Sequence, residues 1–378
     1  MKTNKFIAAM LVLVMAVGLL IPALAEDTIK IGGIGCLTGA YAMYGEGVRN
    51  GIDLYIQELN AAGGIDGKQV EVIWEDDEGD PAKATNAFNK LVQNDGVVAI
   101  LGSVLTAATD SVAEFAAEEG IPMITASATA YHITTDRPNV FRTCFLDPFQ
   151  GVSMANFAKE EFGATKLAVL YENGNEYSTG LKDTFVAQAE KNGQTIVGLE
   201  ATVKDEMDFK AQLTKIKDAA PEVVFLPYYG REAALILTQA KELGLDVKFI
   251  GGDGISDIVG AIGDKSLLTN MYYSDHFTNS ADSEMVKAFL SGYQAKYGEM
   301  PKISFSATGY DAALVLTNAI KSAGTTDYAA VVDAIKSSQV EGVSGVITFD
   351  DHNDPIKSAF ILTFDETGSQ VFVKQQNP

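Results

Sequence analysis

From Thr28 onward the chain alternates short apolar runs with amphipathic stretches, and it does so twice, over roughly 28–145 and again over roughly 165–275. Strands that each return through a helix must lie parallel, because an antiparallel pair needs only a tight turn. The repeat therefore predicts two α/β lobes, each a parallel sheet wrapped by helices. No Pro/Ser-rich linker separates them, and the break falls at Thr143 to Asp147. The tail, with strand runs at Gly345 to Phe349 and Ala359 to Phe364, is too poor in strands for a third domain. It is expected to finish the first lobe and then cross back, leaving a hinge of short crossovers and a cleft.

Within the first repeat, Leu101 to Ala130 reads as strand, turn, helix, strand and a second turn of small residues. A parallel pair joined by one crossover helix puts both turns at the carboxyl edge of the sheet, where open α/β sheets bind ligands. Thr106 stands where a helix cap is expected, before Val112, Phe115 and Ala116. The helix start there offers N–H groups and a partial positive charge. Hydroxyls of Thr106, Ser127 and Thr129 can add donors, a combination that suits a small carboxylate; the other reading is ordinary caps and turns. Elsewhere, Leu37 to Gly47 is a Gly/Tyr-rich loop, Asp76 to Asp80 reads as a solvated acidic turn, a helix is expected from about Gly180 to Asn192, and a strand from Thr269 to Asp275. Asp253 sits in a glycine turn after a strand and reads either as a helix cap or as a counter-charge.

Lys2 and Lys5, the apolar run Phe6 to Ile21 and Ala23-Leu24-Ala25 form an export leader, with cleavage expected after Ala25. Among the 378 residues the formal net charge is −22, which argues against nucleic acid and anionic membrane surfaces as partners. Cys36 and Cys144 are the only cysteines; in an exported protein they either pair or remain two buried thiols. His132, His276 and His352 lack paired metal spacing, and no HExxH, CxxC or GxSxG occurs. Gly32, Gly33, Gly35 and Gly39 miss the dinucleotide spacing, because Thr38 takes the third glycine's place. No enzyme activity, metal or cofactor is expected.

The chain resembles the branched-chain amino-acid receptors among the type I periplasmic substrate-binding proteins of ABC transporters. The resemblance covers nearly the whole mature chain. It rests on KIGGIGCLTGAYAMYGEGVRNGIDLYIQELNAAGGIDGKQVEVIWEDDEGDPAKA, then on GIPMITASATA, LAVLYENGNEYSTG, VVFLPYYGREAALILTQAKELGL and FIGGDG. It implies two Rossmann-like lobes joined by a three-crossover hinge, with 26–144 and 276–350 in the first lobe and 145–275 and 351–378 in the second. It implies ligand contacts from Tyr44, Thr106, Ser127, Ala128, Thr129, Tyr177, Tyr229 and Asp253. In that scheme Thr106, Ser127 and Thr129 hold the carboxylate end, the tyrosines line and close the pocket, and Asp253 pairs with the ammonium. It further implies a monomer in the periplasm that passes an amino acid to permease subunits. Asp253 where glutamate is usual, and the Tyr228-Tyr229 pair, leave the side chain open: related receptors take amides, urea or aromatic acids. A sensory ectodomain of the same fold is the other class of reading.

Overall fold

A computed structural model describes residues 28–378, so the expected leader and cleavage site lie outside the described residues. Five strands, β1 (Ile29–Gly35), β2 (Val70–Asp76), β3 (Ile100–Leu101), β4 (Met123–Thr125) and β5 (Val140–Arg142), form an all-parallel sheet in the order β2-β1-β3-β4-β5. Helices α1 (Ala42–Ala61), α2 (Pro81–Lys90) and α3 (Thr106–Glu119) connect them. Each helix buries one apolar stripe: Val48, Ile52 and Ile56 of α1, Val112, Ala113 and Ala116 of α3. β1 and β3 are neighbours, and the connection after β1 runs to β2 on one side while that after β3 runs to β4 on the other, so a crevice opens between their carboxyl ends.

The chain then leaves this sheet through Thr143 to Leu146 and builds a second. The helices α4 (Asp147–Phe162), α5 (Glu176–Lys191), α6 (Lys210–Ala219), α7 (Gly230–Glu242) and the short α8 (Ile258–Ala261) alternate with β6 (Lys166–Glu172), β7 (Thr195–Thr202), β8 (Val223–Leu226), β9 (Lys248–Gly251) and β10 (Met271–Asp275). After β10 the helices α9 (Glu284–Tyr297), α10 (Phe305–Ala323) and α11 (Tyr328–Lys336) follow. α10 packs along α1 on the first sheet so closely that a Cβ on Gly51 would lie 1.9 Å from the Ser306 carbonyl oxygen. A hairpin, β11 (Val340–Gly342) and β12 (Gly345–Ile347), precedes β13 (Ala359–Phe364) and β14 (Gln370–Gln376). The last two strands add antiparallel to the second sheet, whose order is β14-β13-β10-β9-β8-β6-β7. The backbone thus passes between the two sheets three times. The crossings are tied together: the buried Lys357 ammonium donates to the Thr143 carbonyl at 2.9 Å.

The sequence expectations differ from this fold at several points. α5 starts at Glu176, not Gly180, because the Asn175 side chain accepts from the Ser178 N–H and caps the helix there. β10 starts at Met271, since Lys265–Asn270 winds as a 3-10 helix capped by Asp264. β12 ends at Ile347, before Phe349, and β14 is an additional strand. The acidic turn is not solvated throughout: Asp77 is fully buried, accepting from Gly79 N–H at 2.7 Å and from the Ser103 hydroxyl. Asp76 holds the N–H groups of Leu37 and Thr38, and Asp80 caps α2. Both cysteines are free and buried. Burial pushes the Cys144 thiol up to about 12 and raises the Cys36 thiol further, which leaves both inert.

Candidate functional site: a cleft between two carboxyl sheet edges

The first lobe contributes two turns. Leu105, with extended backbone, occupies the cap position of α3, so Thr106 is the first helical residue and no side chain caps the helix. The expected Thr106 cap is therefore absent, and the helix start keeps its N–H groups clear of a side-chain partner. The second turn follows β4. There the Thr125 hydroxyl donates to Ser103 O at 2.9 Å and accepts from Ala128 N–H at 3.2 Å, folding Ala126 to Thr129 back over the sheet edge. The Ser127 hydroxyl donates to Val104 O at 2.9 Å and ties the two turns together. Its proton is committed within the lobe. Thr106, Ser127, Ala128 and Thr129 are all buried.

The second lobe faces them with an acid and its donors. Asp253 follows β9 and is 2% exposed. It is not a cap: its side chain makes no cap bond in the short turn it opens. Asp253 Oδ1 accepts from Gln150 Nε2 at 2.9 Å and from the Tyr177 hydroxyl at 3.0 Å, and Oδ2 lies 3.0 Å from His276 Nε2. Burial holds the His276 imidazole below its usual value, so it is neutral and donates from Nε2. Gln150 Oε1 in turn accepts from Asp253 N–H at 2.9 Å and the Ser274 hydroxyl at 2.8 Å. Glycine is required beside Asp253 because a Cβ on Gly254 would lie 2.8 Å from the Tyr177 hydroxyl oxygen.

Tyrosines join the lobes. The Tyr44 hydroxyl, from α1, accepts from Gly230 N–H at 2.9 Å and lies 2.6 Å from both Gly254 O and Asp257 Oδ1. Tyr229 packs edge-on against Tyr44 at 5.6 Å and stacks on Tyr177 at 5.0 Å. Its neighbour Tyr228 turns the other way and bonds Thr202 Oγ1 at 2.6 Å inside the second lobe, so only one of the pair faces the cleft. Phe305 packs on Tyr44 and on the His276 ring, which also lies tilted against Phe145 with ring centroids 3.7 Å apart. At the edge of the cleft His132 Nε2 reaches Glu176 Oε2 of the other lobe at 3.1 Å; the adjacent Asp110 is held by Arg137 at 2.7 Å. Of two cavities of about 590 Å³, one borders the cleft at Asp257 and is lined also by Met43 and Ile303, and the other is lined by Val343, Ile356 and Lys357. Neither includes Thr106, Thr129 or Asp253, so polar chemistry and not cavity size locates the site.

Asp147, Gln150, His276, Asp257 and Phe305 belong to this cleft and were not anticipated. Asp147 carried a signal, Asp-Pro at a helix start on the lobe break, but Gln150 and His276 sit at positions with no pattern to betray them.

The Asp257 carboxyl makes closure sensitive to pH. Burial is the main cause raising it from 3.8 to about 6, partly opposed by the Tyr44 bond. Glu232, which accepts from Tyr41 across the cleft at 3.3 Å, is raised in the same direction by burial. Opening the lobes returns water and the ordinary value, so the closed form binds the proton more tightly. That contribution to closure is complete below the open-state value and is lost as pH rises through about 6. The ligand-free protein is expected to have a smaller radius of gyration at pH 5 than at pH 7.5 by small-angle scattering. Asp257→Asn should remove most of the difference, and an equal radius at both pH values refutes the coupling.

Two α/β lobes, one with an all-parallel sheet and one with a mixed sheet, crossed three times by the backbone and meeting through polar turns at the carboxyl edges of their parallel strands, define a two-lobed binding protein of the hinge-closing class. A family model described as "Periplasmic binding protein" matches residues 28–369. The chain is 33% identical over 335 residues to the leucine-, isoleucine-, valine-, threonine- and alanine-binding protein of Pseudomonas aeruginosa, covering 88% of each chain. A leucine-binding protein from Thermotoga maritima superposes with a TM-score of 0.86 at 31% identity, covering 93% of this chain and 99% of that one. The substrate-binding protein of a branched-chain amino acid transporter from Streptococcus pneumoniae, solved with isoleucine, gives 0.86 at 32% identity over the same shares. The chain belongs to the type I periplasmic binding proteins, in their branched-chain amino-acid family.

Proposed function

We propose that this protein is an exported receptor that captures a branched-chain or other small apolar amino acid between its lobes and delivers it to an ABC permease. The observation that carries the reading is the opposition of two chemistries across one cleft: an uncapped helix start with Thr106 and Thr129 on one side, buried acids on the other. A zwitterion satisfies both, and its side chain meets the aromatic wall of Tyr44, Tyr177 and Tyr229. The names of the relatives support the same ligand class. We assign Thr106, Ser127, Ala128 and Thr129 to the carboxylate end and Asp253 to the ammonium. The lobes are taken as 26–144 with 276–350, and 145–275 with 351–378, and the mature chain acts as a periplasmic monomer after cleavage behind Ala25. Transport, not catalysis, is its task, and it needs no cofactor.

Calorimetry against leucine, isoleucine, valine, leucinamide and benzoate tests this. The free amino acids are expected to bind, and leucinamide to bind about tenfold or more weakly, roughly 1.4 kcal/mol or more. Equal affinity for leucine and leucinamide removes the carboxylate subsite. Binding of benzoate alone replaces the amino-acid reading with an aromatic-acid one.

A further inference from the structure

We propose that Asp147 is a second acid for the ligand ammonium, and that ligand binding expels a proton from this residue. The inference rests on the amino-acid reading above and adds a residue and a proton to it.

Asp147 begins α4 on the first crossing between the lobes and is 1% exposed. Its backbone N–H donates to Thr129 O at 2.9 Å, which seats it directly behind the carboxylate-end turn. One oxygen, Oδ1, accepts from Gln150 Nε2 at 3.3 Å. The same amide donates to Asp253 Oδ1, so a single NH₂ group serves two buried carboxylates. The Thr129 side chain approaches the carboxyl, but the other oxygen, Oδ2, receives no hydrogen bond of adequate geometry. A buried acceptor without a donor costs free energy, and two buried like charges this close disfavour joint ionisation. Among the described residues, the nearby cations are engaged elsewhere. Arg142 favours ionisation of Asp147 but is already paired with Asp354, and Lys357 is turned to Thr143 and Ser344. His276, the remaining base, is neutral and already bonded to Asp253; the hydroxyls of Tyr177 and Tyr229 stay protonated. Burial, and then the Asp253 charge, push the Asp147 carboxyl well above the usual carboxylate range, against the opposing pull of Thr129 and Arg142.

In the ligand-free protein, then, Asp147 carries a proton. A primary ammonium brings one positive charge and three N–H donors. It supplies the partner Oδ2 lacks and the counter-charge that two carboxylates need. Asp147 then ionises, the O–H bond breaks heterolytically, and the proton passes to solvent. No other bond changes. By linkage, binding that releases a proton must tighten as pH rises.

The test is calorimetric titration of the whole mature protein with leucine at pH 7.5 in phosphate and in Tris, whose ionisation enthalpies differ. The choice of pH keeps Asp257, which takes up a proton on closure below about 6, nearly silent. The dependence of the observed heat on buffer is expected to give about one proton released per ligand, with roughly tenfold tightening per pH unit at most. Asp147→Asn should bind with no proton release. Tight binding by the wild-type protein with no release, or unchanged release in Asp147→Asn, overturns the proposal and leaves the receptor reading standing. Should Asp147→Asn fail to fold, the wild-type proton count decides alone. Failure of every free amino acid to bind removes both readings together.

Discussion

Asp253→Asn is expected to weaken binding of the best amino-acid ligand by about 30-fold to a few thousand-fold. The range follows from the roughly 2–5 kcal/mol typically lost when one partner of a buried, hydrogen-bonded charge pair is removed, at about 1.4 kcal/mol per decade. The site tolerates the substitution sterically. The carbonyl of the new amide can accept from Gln150 Nε2 and the Tyr177 hydroxyl as Asp253 Oδ1 does. Its NH₂ faces His276 Nε2, and the neutral imidazole adapts by moving its proton to Nδ1, which has no partner of its own. The fold should therefore survive, and what disappears is the charge. Near-wild-type thermal unfolding combined with a large loss in calorimetric affinity is the expected pair of results. A loss under threefold in a folded variant makes Asp253 a structural hub and leaves the ammonium to Asp147. A large loss in both Asp253→Asn and Asp147→Asn is the outcome for an ammonium shared between them.

Periodicity made the lobes legible. Apolar runs of strand length separated by helical stripes can form little other than parallel sheets, and the doubled pattern gave two. Strand order was not legible, because nothing in β1 states that β2 and β3 flank it. Burial of polar residues was the other gap. Asp77 lies in an acidic run, yet the sheet edge closes over it and Ser103 and Gly79 satisfy it. Nothing in the sequence marks Arg142 as buried, but the second turn and the third crossing wrap it completely. Thr106 has a cap's residue type, and the extended backbone of Leu105 shifts the helix start by one position. The tyrosines show a different limit. Aromatic content alone does not separate Tyr228 from Tyr229; alternation past the end of β8 does, sending one into the lobe and the other to the cleft.

Breaking the Arg142–Asp354 pair is expected to have the largest effect on stability. Arg142 Nε lies 2.6 Å from Asp354 Oδ1 with both side chains buried, as an ion pair whose angle falls short of a hydrogen bond. The guanidinium also donates through NH1 to Ala128 O at 2.8 Å and Ala130 O at 3.0 Å, and through NH2 to Thr134 Oγ1 at 2.9 Å. One side chain thus fixes the turn that follows β4 and anchors the third crossing. Removing a single member of a buried pair typically costs about 3–5 kcal/mol, because the other charge is left in a low-dielectric site. Arg142→Met and Asp354→Leu should each lower stability by about that amount in urea unfolding. The double variant separates the two duties of Arg142. If only charge pairing matters, replacing both members with apolar groups restores most of the stability. In any chain lacking Arg142 the carbonyls of Ala128 and Ala130 lose their shortest hydrogen bonds and keep only the Cys144 thiol at 3.4 Å and the Ile133 N–H at 3.3 Å, at a cost of up to about 1–3 kcal/mol for a buried acceptor so weakened. Recovery in the double variant is therefore expected to be incomplete. Ligand affinity should follow the turn and not the ion pair: weakened in Arg142→Met and in the double variant, close to wild type in folded Asp354→Leu. Full recovery of both stability and binding in the double variant contradicts this division, since it means that the turn holds its shape without the guanidinium.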